Sequence, residues 1–204
     1  MKKGKLIVVS GFSGAGKGTL MKALLEKYDN YALSVSATTR DPRPGEVEGV
    51  SYFFVSDERF KEMIDNDELL EYACYVGHFY GTPRKYVQDN LDAGLDVILE
   101  IEIQGAMKIK EKFPDSILVF VTPPDAATLR NRLVGRGTET VDVIEQRLSR
   151  AAAEAEGVEN YDYIVINDVL EDCVENLDRI VKSEHNRTSD HMSVIENIRM
   201  ELGK

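Results

Sequence analysis

Leu6-Ile7-Val8-Val9-Ser10 runs directly into Gly11-Phe12-Ser13-Gly14-Ala15-Gly16-Lys17-Gly18-Thr19, and the junction of these two stretches decides the fold. The first is apolar and mostly β-branched, the composition of a short buried strand. In the second, the glycines before Lys17 permit backbone angles that other residues resist, so successive N–H groups can turn inward on an anion. After Gly16, Leu20, Met21, Leu24, Leu25 and Tyr28 fall on one helical stripe. A helix starting there adds the positive end of its dipole to the same anion site. Two glycines and a lysine at this spacing say little alone; between a strand and a helix they form the phosphate-loop pattern in the context it requires. Lys17 supplies a full positive charge able to reach β- and γ-phosphates. Gly18 stands where many such loops place a hydroxyl on magnesium, and the hydroxyl comes one position later, at Thr19.

Outward from this loop, short apolar runs recur at residues 33–36, 97–101, 117–121 and 163–166, with helical patterns between them. Such alternation predicts a parallel sheet covered by helices, an α/β fold. Residues 125–133 and 141–155 read as helices, and 171–202 is helical in pattern. Two segments interrupt the alternation. Residues 38–54, rich in Arg, Pro, Gly and Tyr, read as loop and antiparallel strand opening a small lobe that reaches about Asn90. Gly135-Arg136-Gly137-Thr138-Glu139-Thr140 is a polar, glycine-flanked break between two helices, the composition expected at the tip of a lid.

The chain has 204 residues, 43% of them apolar, enough to bury a core as one domain. Its net charge of -11 works against general binding to a phosphate backbone, so any anion site must be a local basic cluster. Cys74 and Cys173 lie outside any metal-ligand spacing, which suits two thiols in a reducing compartment. No leader-like segment opens the sequence, and no apolar run reaches the roughly 20 residues needed to span a bilayer. A cytoplasmic protein with no membrane or nucleic-acid partner is the expectation. His78, His185 and His191 have no partner at metal-ligand spacing and read as structural or surface residues.

One basic cluster is Thr38-Thr39-Arg40-Asp41-Pro42-Arg43-Pro44-Gly45-Glu46, where the prolines keep the segment extended and two guanidinium forks suit bidentate phosphate binding. On its own this segment reads equally as solvated charge. Followed by Gly49, Tyr52 and Phe54, however, it closely resembles the GMP-binding segment of guanylate kinases. The resemblance continues through Glu71, Tyr80-Gly81-Thr82, Gln104-Gly105 and residues 135–140, in order and with matching spacing, over most of residues 5–185. It implies a P-loop NTPase-type parallel sheet flanked by helices, with a small GMP-binding lobe and a helical lid. The single domain 1–204 would divide into a core (1–35, 94–124 and 160–204), a GMP-binding lobe (36–93) and a lid (125–159).

The resemblance further implies the partners ATP and GMP or dGMP, with Mg2+ entering alongside ATP. ATP would lie on Gly11, Ser13, Gly14, Ala15, Gly16, Lys17, Gly18 and Thr19, with Asn167 near adenine. Arg40, Arg43, Tyr52 and Tyr80 would hold the GMP phosphate. Ser36, Glu71, Thr82 and Glu102 would read guanine, whose N1 and N2 donors suit a carboxylate and whose O6 suits a hydroxyl. Glu100-Ile101-Glu102 stands where many family members carry Asp-x-Asp. Strand alternation would put both carboxylates on one face, at the carboxyl end of a strand where α/β sheets place ligands. Glu100 would serve the GMP site and, with Thr19, the metal, largely through water.

An acceptor phosphate, with a second pKa of about 6, is already a nucleophile at neutral pH, so no general base is needed. The difficulty is bringing two anions together, which calls for positioning and positive charge at the transferring group. By resemblance, Lys17, Arg132, Arg136 and Arg147 supply that charge, and lid closure excludes water. Two alternatives compete. Gly18-Thr19 is also found in adenylate kinases, but the Asp-Gly-Phe-Pro-Arg stretch typical of those enzymes is missing. Non-catalytic guanylate-kinase-like interaction modules usually have eroded phosphate loops, and this loop is intact.

Overall fold

Ile7, Val8 and Val9 are fully buried at the centre of the molecule, as an apolar β-branched run flanked by two further strands must be. The computed structural model describes residues 3–134 and 155–203. Most of the expected lid, with its tip, Arg136 and Arg147, lies outside the described residues. Along the chain, β1 (Leu6–Gly11), α1 (Lys17–Lys27) and β2 (Tyr31–Leu33) precede β3 (Ala37–Thr38), β4 (Phe53–Phe54), α2 (Asp57–Asp65), β5 (Leu69–Tyr75) and β6 (His78–Pro83). There follow α3 (Arg84–Asp92), β7 (Asp96–Glu100), α4 (Ile103–Lys112), β8 (Ile117–Thr122), α5 (Ala126–Val134), β9 (Tyr163–Ile166), α6 (Leu170–Glu184) and α7 (Thr188–Leu202).

The larger sheet is parallel, in the order β2-β7-β1-β8-β9. Period-two alternation sorts its side chains onto two faces. Ile7 and Val9 pack with Leu20, Met21 and Leu24 of α1 and Val174, Leu177 and Val181 of α6. Leu6 and Val8 face the other way, onto Val87 and Leu91 of α3 and Ala106 and Ile109 of α4. Helices therefore cover both faces, which permits near-continuous apolar strands.

Three expectations shift. The second strand is Tyr31–Leu33 rather than 33–36, because Tyr31 and Ala32 are buried and the chain must leave the sheet after Ser34 to reach β3. Ser34 N–H still donates to the Ile98 carbonyl (2.9 Å), the last rung before that departure. The helical stretch 171–202 is two helices: α6 buries a stripe and α7 buries nothing. Within 38–54 the pairing is mixed, since β3 runs antiparallel to β6 and parallel to β4.

The smaller sheet, β4-β3-β6-β5, closes over a minor core of Ala37, Phe60, Met63 and Leu69, with Phe60 stacked on Phe79 at 5.4 Å. Along β5, Lys108 and Lys112 of α4 donate to the carbonyls of Tyr72 (2.5 Å) and Leu70 (2.9 Å). Two edge carbonyls are thereby occupied by side chains, one way to protect a sheet edge. The same bonds tie the small sheet to the large one. Between Val87 and Leu91 on one side and Leu70 on the other, the smaller sheet shares core with the larger.

Candidate active site

The loop after β1 is held open by backbone geometry. Gly14 and Gly16 sit at φ 91° and 87°, the left-handed region that glycine enters without strain. A Cβ on Gly16 would stand 2.6 Å from Asn167 Nδ2, and one on Gly14 2.8 Å from Leu133 Cδ2, so neighbours press on the loop from two sides. On one side Phe12 packs against Leu129 and Leu133 of α5 and meets Phe120 edge-on at 5.0 Å. On the other, Asn167, just past β9, is buried and donates from Nδ2 to the Ala15 carbonyl (2.8 Å). Arg132 reaches the same carbonyl at 3.4 Å.

Gly16 caps α1 without any side-chain bond, and the first turn of α1 holds no acid. Its N-terminal N–H groups thus present positive charge with no carboxylate competing for them. Lys17 Nζ donates back to the carbonyls of Gly11 (2.7 Å) and Phe12 (3.3 Å), which fixes its ammonium over the loop. Thr19 is exposed, and a cleft of about 300 Å³ opens between it, Gly14, Gly16, Arg132, Asn167 and Asp168. A second cleft of like size, beside Tyr28 and Lys182, sits at the far end of α1 and has no phosphate-binding geometry. Gly18 is open: a Cβ there would meet nothing within 4 Å.

The acceptor side is built from charged and aromatic side chains. Arg40 forms a fork with Glu46, Nη1 to Oε2 at 3.0 Å and Nη2 to Oε1 at 2.9 Å, while Glu46 Oε2 also accepts the Arg43 N–H (2.7 Å). This pairing raises the Arg40 guanidinium further above its usual range and holds Glu46 below its own. The Arg40 guanidinium lies 5.3 Å from the Tyr52 ring centre, and Tyr52 meets Tyr80 at 6.0 Å. Burial raises the Tyr52 phenol, with smaller contributions from Tyr80 and from the charge of Glu100. Arg43 projects from an exposed turn. Ser36, partly buried, accepts the Phe53 N–H on its carbonyl (2.9 Å) and so joins β4 to the start of β3.

Glu71 and Thr82 face each other across β5 and β6, both buried, with Thr82 Oγ1 donating to Glu71 Oε1 (2.8 Å). Burial raises the Glu71 carboxyl, opposed by the Thr82 hydrogen bond and the charges of Lys108 and Lys112. Its other oxygen lies against Gly105, where a Cβ would stand 2.8 Å from Oε2, so a side chain at 105 would crowd the carboxylate.

Glu100 and Glu102 part company. Glu100 ends β7, an interior strand, and burial raises its carboxyl while the Lys17 charge lowers it. Glu102 lies beyond the strand, as the exposed N-cap residue of α4, because the chain turns into the helix at that point. Its backbone is still extended there, at φ -73° and ψ 159°. The Lys17 charge thus acts on Glu100, and the Glu100 charge adds to the upward shift of Tyr52.

Sequence reasoning passed over Leu129 and Leu133, whose i, i+4 spacing was visible but whose contact with Phe12 is tertiary. It also passed over Glu46 as the partner of Arg40, and over Asp168 in the cleft.

The family model described as guanylate kinase matches residues 3–184. The guanylate kinase of Latilactobacillus sakei subsp. sakei (strain 23K) is 52% identical over 186 residues, covering 91% of this chain and 92% of that protein. That of Clostridioides difficile (strain 630) is 50% identical over 203 residues, covering 99% of each. The crystal structure of guanylate kinase from Anaplasma phagocytophilum superposes with a TM-score of 0.80 at 32% identity, covering 99% of this chain and 97% of that one. A phosphate loop, a carboxylate-bearing side lobe and this breadth of similarity lead to one conclusion: the chain belongs to the guanylate kinase family.

Proposed function

We propose that this protein transfers the γ-phosphoryl group of ATP to GMP, and more weakly to dGMP, by direct in-line displacement. The observation that carries this reading is the loop itself, with Gly14 and Gly16 in the left-handed region and Lys17 Nζ held over it, in a chain whose lobe buries Glu71 against Thr82. The loop from Gly11 through Thr19, with Ser13 and Ala15 inside it, takes the ATP phosphates on backbone N–H groups and on Lys17. Arg40, Arg43, Tyr52 and Tyr80 take the GMP phosphate. Ser36, Glu71, Thr82 and Glu102 take guanine, with Glu71 accepting from its N–H donors. Adenine lacks the N2 donor and offers a donor where guanine has O6, so each mismatched buried group costs roughly 1–3 kcal/mol.

The oxygens of Thr19 and Glu100 fit Mg2+ held mainly by nucleotide phosphates and water, as this hard cation prefers. Among the described residues no group of three or more His, Cys, Asp or Glu could hold a metal ion. Bound with ATP, Mg2+ would supply charge that neutralises the phosphates. Lys17, with Arg132 and the arginines at 136 and 147, meets charge on the moving phosphoryl group. The acceptor oxygen is already ionised near neutral pH, so no side chain need remove its proton.

We assign the core, lobe and lid to one domain, and the protein to the cytoplasm on the strength of its two free cysteines. No helix among the described residues is long and apolar enough to cross a membrane. The test is ADP release with Mg-ATP over GMP, dGMP, AMP, CMP and UMP. GMP is expected to exceed AMP by at least about 30-fold, the product of two unpaired buried groups. Equal rates with AMP would remove the assignment of Glu71 and Thr82 to guanine.

A further inference from the structure

We infer that Asn167 is a positioning residue that braces the phosphate loop through the Ala15 carbonyl. The inference rests on reading that loop as the ATP phosphate site. Asn167 leaves β9 with its backbone N–H still bonded to the Thr122 carbonyl (2.7 Å), so its Cα is fixed by the end of the sheet. Its side chain is 5% exposed and its amide nitrogen lies 2.8 Å from the Ala15 carbonyl. A carbonyl only accepts, so the nitrogen of the amide must face it. The same nitrogen abuts Gly16, where even a Cβ would approach to 2.6 Å.

This contact acts at the point where the loop turns into α1. Ala15 N–H donates to the Phe12 carbonyl (2.9 Å) and Leu20 N–H to the Gly16 carbonyl (3.0 Å), so the Ala15–Gly16 peptide lies between a loop turn and the first helical bond. Turning the Ala15 carbonyl outward toward Asn167 directs the following N–H, that of Gly16, the opposite way. Phosphate-binding N–H groups depend on that orientation. Arg132 Nη1, at 3.4 Å from the same carbonyl, is a longer second contact from α5, so Asn167 is the principal tether.

The test is amide hydrogen exchange on the nucleotide-free Asn167→Ala protein, followed by binding and kinetics on the same variant. Exchange at the Ala15 and Leu20 amides is expected to rise about tenfold, with Val119 and Val121 of β8 unchanged. A brace also predicts an about tenfold rise in KM for ATP with GMP affinity preserved, and an equal loss of affinity for ADP and for inorganic tripolyphosphate. Unchanged loop exchange would overturn the inference, as would a loss confined to ADP, the signature of a contact to the base. A rise spread evenly over β8 and β9 would also overturn it, since it marks general destabilisation. Failure of the unsubstituted protein to phosphorylate GMP would instead strike the proposed reaction, because loop exchange is read without substrate.

Discussion

In the proposed reaction the donor loop and the acceptor lobe handle anions by opposite means. The loop relies on backbone: left-handed glycines, an uncapped helix N-terminus and neighbours that press on it, with Lys17 as its one full charge. The lobe relies on side chains, an Arg40–Glu46 fork, two tyrosines and a buried Glu71–Thr82 pair over a small core. Backbone dipoles do not titrate, whereas buried carboxylates do. The loop should therefore be insensitive to pH and sensitive to shape. The lobe should behave in the reverse way.

The largest expected effect is at Lys17. Removing a preorganised charge aimed at the transferring phosphoryl group costs about 100- to 1,000-fold in kcat. Lys17→Ala should show that loss in an ADP-release assay while calorimetry finds GMP affinity preserved. A parallel loss of GMP binding would erase the separation between the two regions.

Glu71→Gln sharpens the comparison next. Its affinity for GMP should fall by about 1.5–3 kcal/mol, the value of a hydrogen bond to a charged group. The pH dependence has a defined sign. The folded carboxyl sits above its ordinary 4.5, so its contribution to stability is greatest below that value and is lost as pH rises toward the folded value. Thermal melts from pH 4 upward should show Glu71→Gln gaining on the unsubstituted protein as pH rises. GMP affinity of the unsubstituted protein should rise over the same window, because the ionised form accepts from guanine. Parallel trends in stability and affinity would contradict the role given to this carboxylate.

The smallest effect is expected at Gly18. It lies in α1 with open space at its Cβ position, so Gly18→Ser should fit and add up to about 0.5 kcal/mol through helix propensity. A higher melting temperature with turnover within about threefold is the expected result. A large loss of activity would show that the loop is as dependent on side-chain identity as the lobe.

Much of this was legible in the chain. Strand-loop-glycine-lysine-helix specifies its own geometry, since every part is local and the glycines have one physical use at Gly14 and Gly16. Arg40 and Glu46 lay within one short quoted stretch, though their fork was not anticipated. Strand limits were less legible: β2 begins at Tyr31 because Tyr31 donates to Asp178 (3.0 Å), a partner 147 positions away. Glu102 lies just past the end of β7, at the cap of α4, a boundary that period-two counting cannot see.

By itself the sequence determined the parallel α/β class and the phosphate loop, because periodicity and turn chemistry act over a few residues; the acceptor residues followed only from the resemblance to guanylate kinases. Only the tertiary structure decided which side of the loop Asn167 and Leu133 press upon, and that Gly105 makes room for Glu71. Those are contacts between distant segments, set by how two sheets share a core, and no local pattern encodes them.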